Sequence, residues 1–125
     1  ESTFFGVQKE NNFAVTEKFQ EYEPQYIPSG FSVKEVSETS HSFYITYWNE
    51  DTNKDYTLFY YSSRDSRAVD SENAVTWEEY IGNNKATIIQ KGEDIRILMP
   101  KNGGEYCLQG SIELEVAYEI LESIK

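Results

Sequence analysis

The sequence is short of the groups on which most enzyme chemistry depends. It has a single cysteine, Cys107, and a single histidine, His41. One cysteine cannot close an internal disulfide, and it says little about redox compartment. One histidine rules out a multi-histidine zinc site and leaves one candidate base for a triad. Basic residues are scarce too: 11 Lys plus Arg stand against 22 Asp plus Glu, a formal net charge of −11. Nucleic-acid binding needs clustered positive charge to displace counterions, and no basic run is present. The same deficit disfavours direct binding to an anionic membrane surface. Solubility is the plain use of the acidity. There is no apolar run long enough to span a bilayer. The chain begins at Glu1 rather than Met, and any signal or membrane anchor is expected upstream of it.

What is present points to one folded domain. A chain of 125 residues fits one domain and buries roughly 65% of its unfolded surface, enough for a core without staples. Ten of its aromatics are Tyr, a residue suited to half-buried pleated surfaces with a wet hydroxyl. That composition leans toward β-structure.

Residues 1–25 read as an N-terminal extension in which Phe4, Phe5, Val7, Phe13, Val15 and Phe19 are scattered among charges. Phe13 and Val15 alternate as in a short strand. Residues 26–125 read as a single α+β domain. It opens on the turn Tyr26-Ile27-Pro28-Ser29-Gly30-Phe31, where Pro28 fixes φ and Gly30 tolerates a left-handed conformation. Phe31, Val33 and Val36 are the apolar members of the strand that follows.

Two runs then alternate with period two. In Ser42–Asn49, Phe43, Ile45 and Tyr47 oppose Tyr44, Thr46 and Trp48. In 56–62, Tyr56, Leu58 and Tyr60 oppose Thr57, Phe59 and Tyr61. The polar stretch 49–55 joins them as a hairpin loop. Both faces are aromatic, which predicts a central hairpin partly covered on both sides. Further strands or turns are expected over 75–80, 85–90, 95–99 and 106–109, with turn signals every 8–12 residues, as in an antiparallel meander of six or seven strands. Over 110–125 the period changes. Val116, Ala117, Ile120, Leu121 and Ile124 form one helical stripe, predicting a C-terminal amphipathic helix over 113–124 packed on the sheet.

Each candidate chemical site has a simpler reading beside it. Asp51-Thr52-Asn53-Lys54-Asp55 begins like a calcium loop, but that loop requires Gly at its sixth place and Glu at its twelfth, where Tyr56 and Ser62 stand. It reads as a hairpin turn. Asp70-Ser71-Glu72 pairs two carboxylates with no sign of separated pKa values, and reads as a solvated loop. His41 between Ser40 and Ser42 is no triad, since triads assemble from distant segments. Cys107 reads as a buried small hydrophobe without a CxxC partner. No phosphate-loop, nucleophile-elbow or zinc-protease motif occurs. Neither a catalytic residue nor a metal or cofactor is expected. The remaining hint is the surplus of Tyr and Trp. Trp48, Tyr60 and Trp77 are the candidate ligand-binding residues, as a stacking surface for sugar or peptide, with ordinary sheet packing as the alternative.

Residues 26–125 resemble a family known only as a domain of unknown function from low-GC Gram-positive bacteria. The resemblance rests on the Tyr26–Phe31 turn, on Tyr106-Cys107-Leu108-Gln109-Gly110, on a helix closing in Glu122-Ser123-Ile124, and on the turn and strand over 82–90. There are two departures from it: Leu98 and Met99 stand where the family often has Trp, and Glu113 stands where it often has a Ser helix cap. The resemblance implies a domain that usually follows a transmembrane helix and lies outside the cytoplasm. Some members are the outer part of anti-sigma-factor-like regulators, and others are lipoproteins or stand alone. It implies no catalytic residues. The expectation is therefore a non-enzymatic extracytoplasmic binding or sensor domain, membrane-tethered through its upstream anchor, with a protein or envelope ligand as partner. The alternative is a carbohydrate- or peptide-binding module that uses an aromatic sheet face.

Overall fold

The computed structural model describes residues 14–62 and 73–125. Seven strands form one antiparallel sheet: β1 (Phe31–Glu38), β2 (Ser42–Asn49), β3 (Lys54–Tyr61), β4 (Val75–Ile81), β5 (Asn84–Lys91), β6 (Asp94–Lys101) and β7 (Gly104–Gly110). The helix α1 (Leu114–Glu122) follows, and a short 3-10 helix (Glu17–Tyr22) precedes the sheet. The α+β meander expected from the sequence is the observed class.

Local chemistry explains most of the connections. Asn102 and Gly103 both have positive φ, as a two-residue type I′ hairpin requires between β6 and β7. Gly82 and Gly92 carry positive φ at the first loop position of the β4–β5 and β5–β6 hairpins. The longer β2–β3 loop is closed by Asn49, whose Oδ1 accepts from the amides of Asp51 and Thr52 at 3.0 and 3.2 Å.

The strand order is β1-β2-β3-β7-β6-β5-β4. The chain leaves β3 for the far edge at β4 and works back through three tight hairpins until β7 docks against β3. A cross-strand row of Ile45, Leu58, Leu108, Ile97 and Ile88 runs across the middle of one face. All five are buried, and α1 lays Ala117, Ile120 and Leu121 into the same core, continued by Ile124. Each large aliphatic of α1 contributes about 1.5–3 kcal/mol by leaving water.

A bulge decides how β1 fits. Val33 pairs with Tyr47 and Val36 with Ile45, so the register shifts between Val33 and Glu35. The extra residue puts Val33 and Val36, three apart in sequence, on the same face. Two glycines of β7 let it closely approach the backbone of the neighbouring β3 and the residues that flank it. A Cβ on Gly110 would lie 2.6 Å from the Tyr56 Cβ, and one on Gly104 would lie 2.0 Å from the Tyr61 carbonyl oxygen.

Residues 14–25, read from sequence as an extension, pack onto this core. Val15 and Phe19 are buried, and Phe19 meets the rings of Phe43 and Tyr60 at 5.1 and 6.0 Å. Val15 leads into a helical turn rather than a strand; Phe13 lies outside the described residues.

Candidate functional site

The two faces of the sheet differ in what lies over them. The N-terminal segment and α1 close the face just described. On the opposite face no described helix or strand covers β2, β3, β7 and β6. The expectation of a hairpin covered on both sides therefore holds on one side only among the described residues.

This open face is built by strand alternation from the residues out of phase with the core. Tyr44, Phe59, Cys107 and Leu98 form one cross-strand row, all half-buried. Tyr44 and Phe59 have ring centroids 5.6 Å apart, and Phe59 and Tyr61 stand nearly parallel at 6.2 Å with 6° between planes. The Tyr44 hydroxyl donates to Glu35 Oε2 at 2.6 Å, and that bond holds the phenol above its usual pKa range. A second row pairs the hydroxyls of Thr46 and Thr57 at 3.0 Å and continues through Gln109 to Arg96. The face thus presents an apolar and aromatic row beside a polar one.

The three candidate ligand-binding residues do not meet in a groove. Trp48 lies on the open face, with Lys34 Nζ 5.3 Å from its ring centroid. Tyr60 is 1% exposed on the covered face and donates to the Asn102 carbonyl at 2.7 Å. It is a core residue and presents no ring to a ligand, which corrects that assignment. Trp77 packs from the edge strand β4 against the same core, opposite Ile88. Period two divided the aromatics into two sets correctly, but it carried no sign of which set α1 covers.

The other candidates resolve into structure. Cys107 is half-buried on the open face and not in the core as expected, because core positions of β7 fall to Tyr106 and Leu108. His41 is exposed in the β1–β2 turn, where its carbonyl accepts from Ser62 N at 2.8 Å. Residues 51–53 form a turn, with Asn53 at φ 58. Asp70, Ser71 and Glu72 lie outside the described residues. Among the described residues no three His, Cys, Asp or Glu gather as metal ligands.

The strongest electrostatic perturbations belong to the core. Burial pushes the phenols of Tyr47, Tyr56 and Tyr106 well above their usual range. Tyr106 donates to the Tyr22 carbonyl at 2.7 Å and accepts from Asn102 Nδ2 at 2.9 Å. The Tyr56 hydroxyl, stacked beside Tyr47 with centroids 4.7 Å apart, is buried without a hydrogen-bond partner.

A profile described as a domain of unknown function, DUF4367, matches residues 21–124. The chain belongs to the DUF4367 family. No curated protein and no solved structure matches it.

In this DUF4367 domain the segments that carried the resemblance have structural work. In the Tyr26–Phe31 turn, Gly30 has φ +89 and Phe31 N donates to the Pro28 carbonyl at 3.1 Å. Tyr106 and Leu108 are both buried, and Gly110 leaves space for Tyr56. Ser123 Oγ donates to Ile120 O at 2.6 Å and accepts from Gln25 N and Tyr26 N at 3.0 and 3.1 Å. One hydroxyl thus ends α1 and ties it to the turn that opens the sheet. Glu113, at the cap position, makes no side-chain cap bond.

Proposed function

We propose that this DUF4367 domain is a non-enzymatic binding domain on the outer side of the cytoplasmic membrane. A protein or envelope ligand would sit on the open face of its sheet. The observation that carries this reading is the row Tyr44, Phe59, Cys107 and Leu98, set in register on β2, β3, β7 and β6 and left uncovered by any described element. Half-buried aromatics on strands offer contact area at little entropic cost, a common property of interface anchors. The extracytoplasmic location, the membrane tether and a role as the sensor part of an anti-sigma-like regulator or lipoprotein follow from the resemblance of the Tyr26–Phe31, Tyr106–Gly110 and Glu122–Ile124 motifs.

Two measurements in cells test it. A photo-crosslinking residue at Phe59 in the full-length protein is expected to capture a partner, while one at Glu122 on the exposed side of α1 captures none. Equal capture at both sites refutes a partner on the open face. For location, Glu122→Cys in a Cys107→Ser background is expected to react with a membrane-impermeant thiol reagent in intact cells. Reaction only after lysis places the domain inside.

A parallel Phe59–Tyr61 pair also suits stacking on a sugar ring, which keeps the carbohydrate reading alive. Titration with cell-wall oligosaccharides, read as quenching of Trp48 fluorescence on the same face, separates the two ligand classes.

A further inference from the structure

The two edges of the sheet are not protected alike. β1 carries the devices that blunt an edge: a bulge between Val33 and Glu35 and the cation Lys34 within it. β4, with the sequence Val-Thr-Trp-Glu-Glu-Tyr-Ile, has no proline, no lysine and no bulge against β5. No described strand pairs with its outer side. The two-residue hairpin makes Ile81 and Asn84 a hydrogen-bonded pair. Alternation along the ladder then turns the backbone N–H and C=O of Thr76, Glu78 and Tyr80 outward.

The side chains along this edge specify what would add to it. Val75 and Tyr80 are 66% and 69% exposed, large apolar groups near the two ends of the strand. Between them Glu78 and Glu79 put one carboxylate on each face. Lys85 lies 3.2 Å from Glu78, but both side chains are over half exposed, so the pair is weak and easily exchanged. A second copy of the chain fits poorly. Antiparallel pairing over the whole of β4 is centred on Glu78 and sets it against its own copy, between two chains of net charge −11.

We propose that β4 is a docking edge for an extended basic segment of a partner protein. The segment adds as an eighth strand, with two adjacent Lys or Arg residues against Glu78 and Glu79 and apolar residues against Val75 and Tyr80. Main-chain hydrogen bonds supply affinity in this mode and the alternate side chains supply selectivity. The proposal goes beyond the open-face reading and does not need it, because the two surfaces use different residues.

The test uses two synthetic eight-residue peptides, an alternating Val/Ile sequence with a central Lys-Arg pair and the same sequence with Glu-Glu at the centre. The expected result is slowed amide exchange at Thr76, Glu78 and Tyr80 with the basic peptide, and binding weakened roughly tenfold with the acidic one. Glu78→Pro removes an outward N–H while leaving the β4–β5 ladder intact, and is expected to abolish binding without unfolding the domain. If that variant does not fold, the double variant Glu78→Lys/Glu79→Lys decides, by reversing the preference between the peptides. The proposal is overturned if neither peptide protects those amides at millimolar concentration, if both bind equally, or if protection at β4 arises from self-association instead. Phe59→Ser is expected to leave peptide binding unchanged, so failure at the edge and failure at the open face remain separate results.

Discussion

The covered and open faces of the same strands are built from similar residues and hold them differently. On β3, Tyr56, Leu58 and Tyr60 point one way and Thr57, Phe59 and Tyr61 the other. The first set is buried under Phe19 and the helix α1; the second stands half-exposed with its rings stacked on one another. Aromatic content therefore does not decide which face is the core. The decision lies in the pieces supplied from elsewhere in the chain, the Val15–Phe19 turn and the Ala117–Ile124 stripe. Stability should concentrate on the covered face, and binding on the open one.

Alkaline pH sharpens that contrast most. The phenols of Tyr47, Tyr56 and Tyr106 have folded pKa values raised by burial above an unfolded value near 10. A raised folded value means that the unfolded chain loses its protons first. The stability contribution is complete below about pH 9 and falls as pH rises through 10. Each phenol removes at most about 1.4 kcal/mol by pH 11, so three remove at most roughly 4 kcal/mol. Urea unfolding measured at pH 9, 10 and 11 is expected to show stability fall by about 1 kcal/mol over the first interval and about 3 kcal/mol over the second. A midpoint that stays constant to pH 11 means that these rings reach solvent.

Next in size is a pair of leucine truncations. Leu58 lies at the centre of the buried row, and Leu58→Ala is expected to cost about 3–4 kcal/mol, transfer and cavity together. Leu98 lies on the open face, and Leu98→Ala is expected to cost about 1 kcal/mol or less. Chemical denaturation of both variants gives the ratio directly. Equal costs would abolish the distinction between the faces.

How much of this was legible follows from the same asymmetry. Strands β2 and β3 were plain because alternation in Ser42–Asn49 and 56–62 is strict. The helix was plain because Ala117, Ile120, Leu121 and Ile124 keep helical spacing to the end. β4 was ambiguous, since an edge strand buries little and its pattern is mostly exposed. β1 was blurred by its bulge, which breaks period two between Val33 and Val36. Val15 lies just before the short 3-10 helix and Phe19 within it, so the apparent Phe13–Val15 alternation carried no sign of how the two reach the core. For the site, sequence separated the aromatic sets but chose Tyr60 and Trp77 from the covered one. A usable signal was the phase of β7: Gly104, Tyr106, Leu108 and Gly110 share a face, and small residues beside large rings mark the face that must be packed.

A smaller comparison tests hydrogen bonding within the covered face. Tyr106→Phe removes a hydroxyl that serves both Tyr22 O and Asn102 Nδ2, and is expected to cost about 1–2 kcal/mol. Tyr56→Phe removes a buried hydroxyl that has no partner, so it is expected to be neutral or to stabilise by up to about 1 kcal/mol. Thermal melts should show a lowered midpoint for Tyr106→Phe and an unchanged or raised one for Tyr56→Phe. A comparable loss from Tyr56→Phe would mean that this hydroxyl is satisfied in solution.

The least effect on folding is expected where the effect on binding is greatest. Phe59→Ser replaces a half-exposed ring next to Tyr61 and Tyr44, and should change stability by less than about 1 kcal/mol. Its neighbour Leu58 costs several times that, although the two are adjacent on one strand. If Phe59 anchors a partner, the same substitution made in a full-length protein bearing the crosslinker at Thr57 should abolish crosslinked product while the melting temperature barely moves. A fall in stability as large as that of Leu58→Ala would mean that Phe59 is already packed under protein, and that the open face serves folding. Loss of crosslinking without loss of stability is the combination that only a binding face produces, because a core residue cannot lose its contacts and leave the fold indifferent.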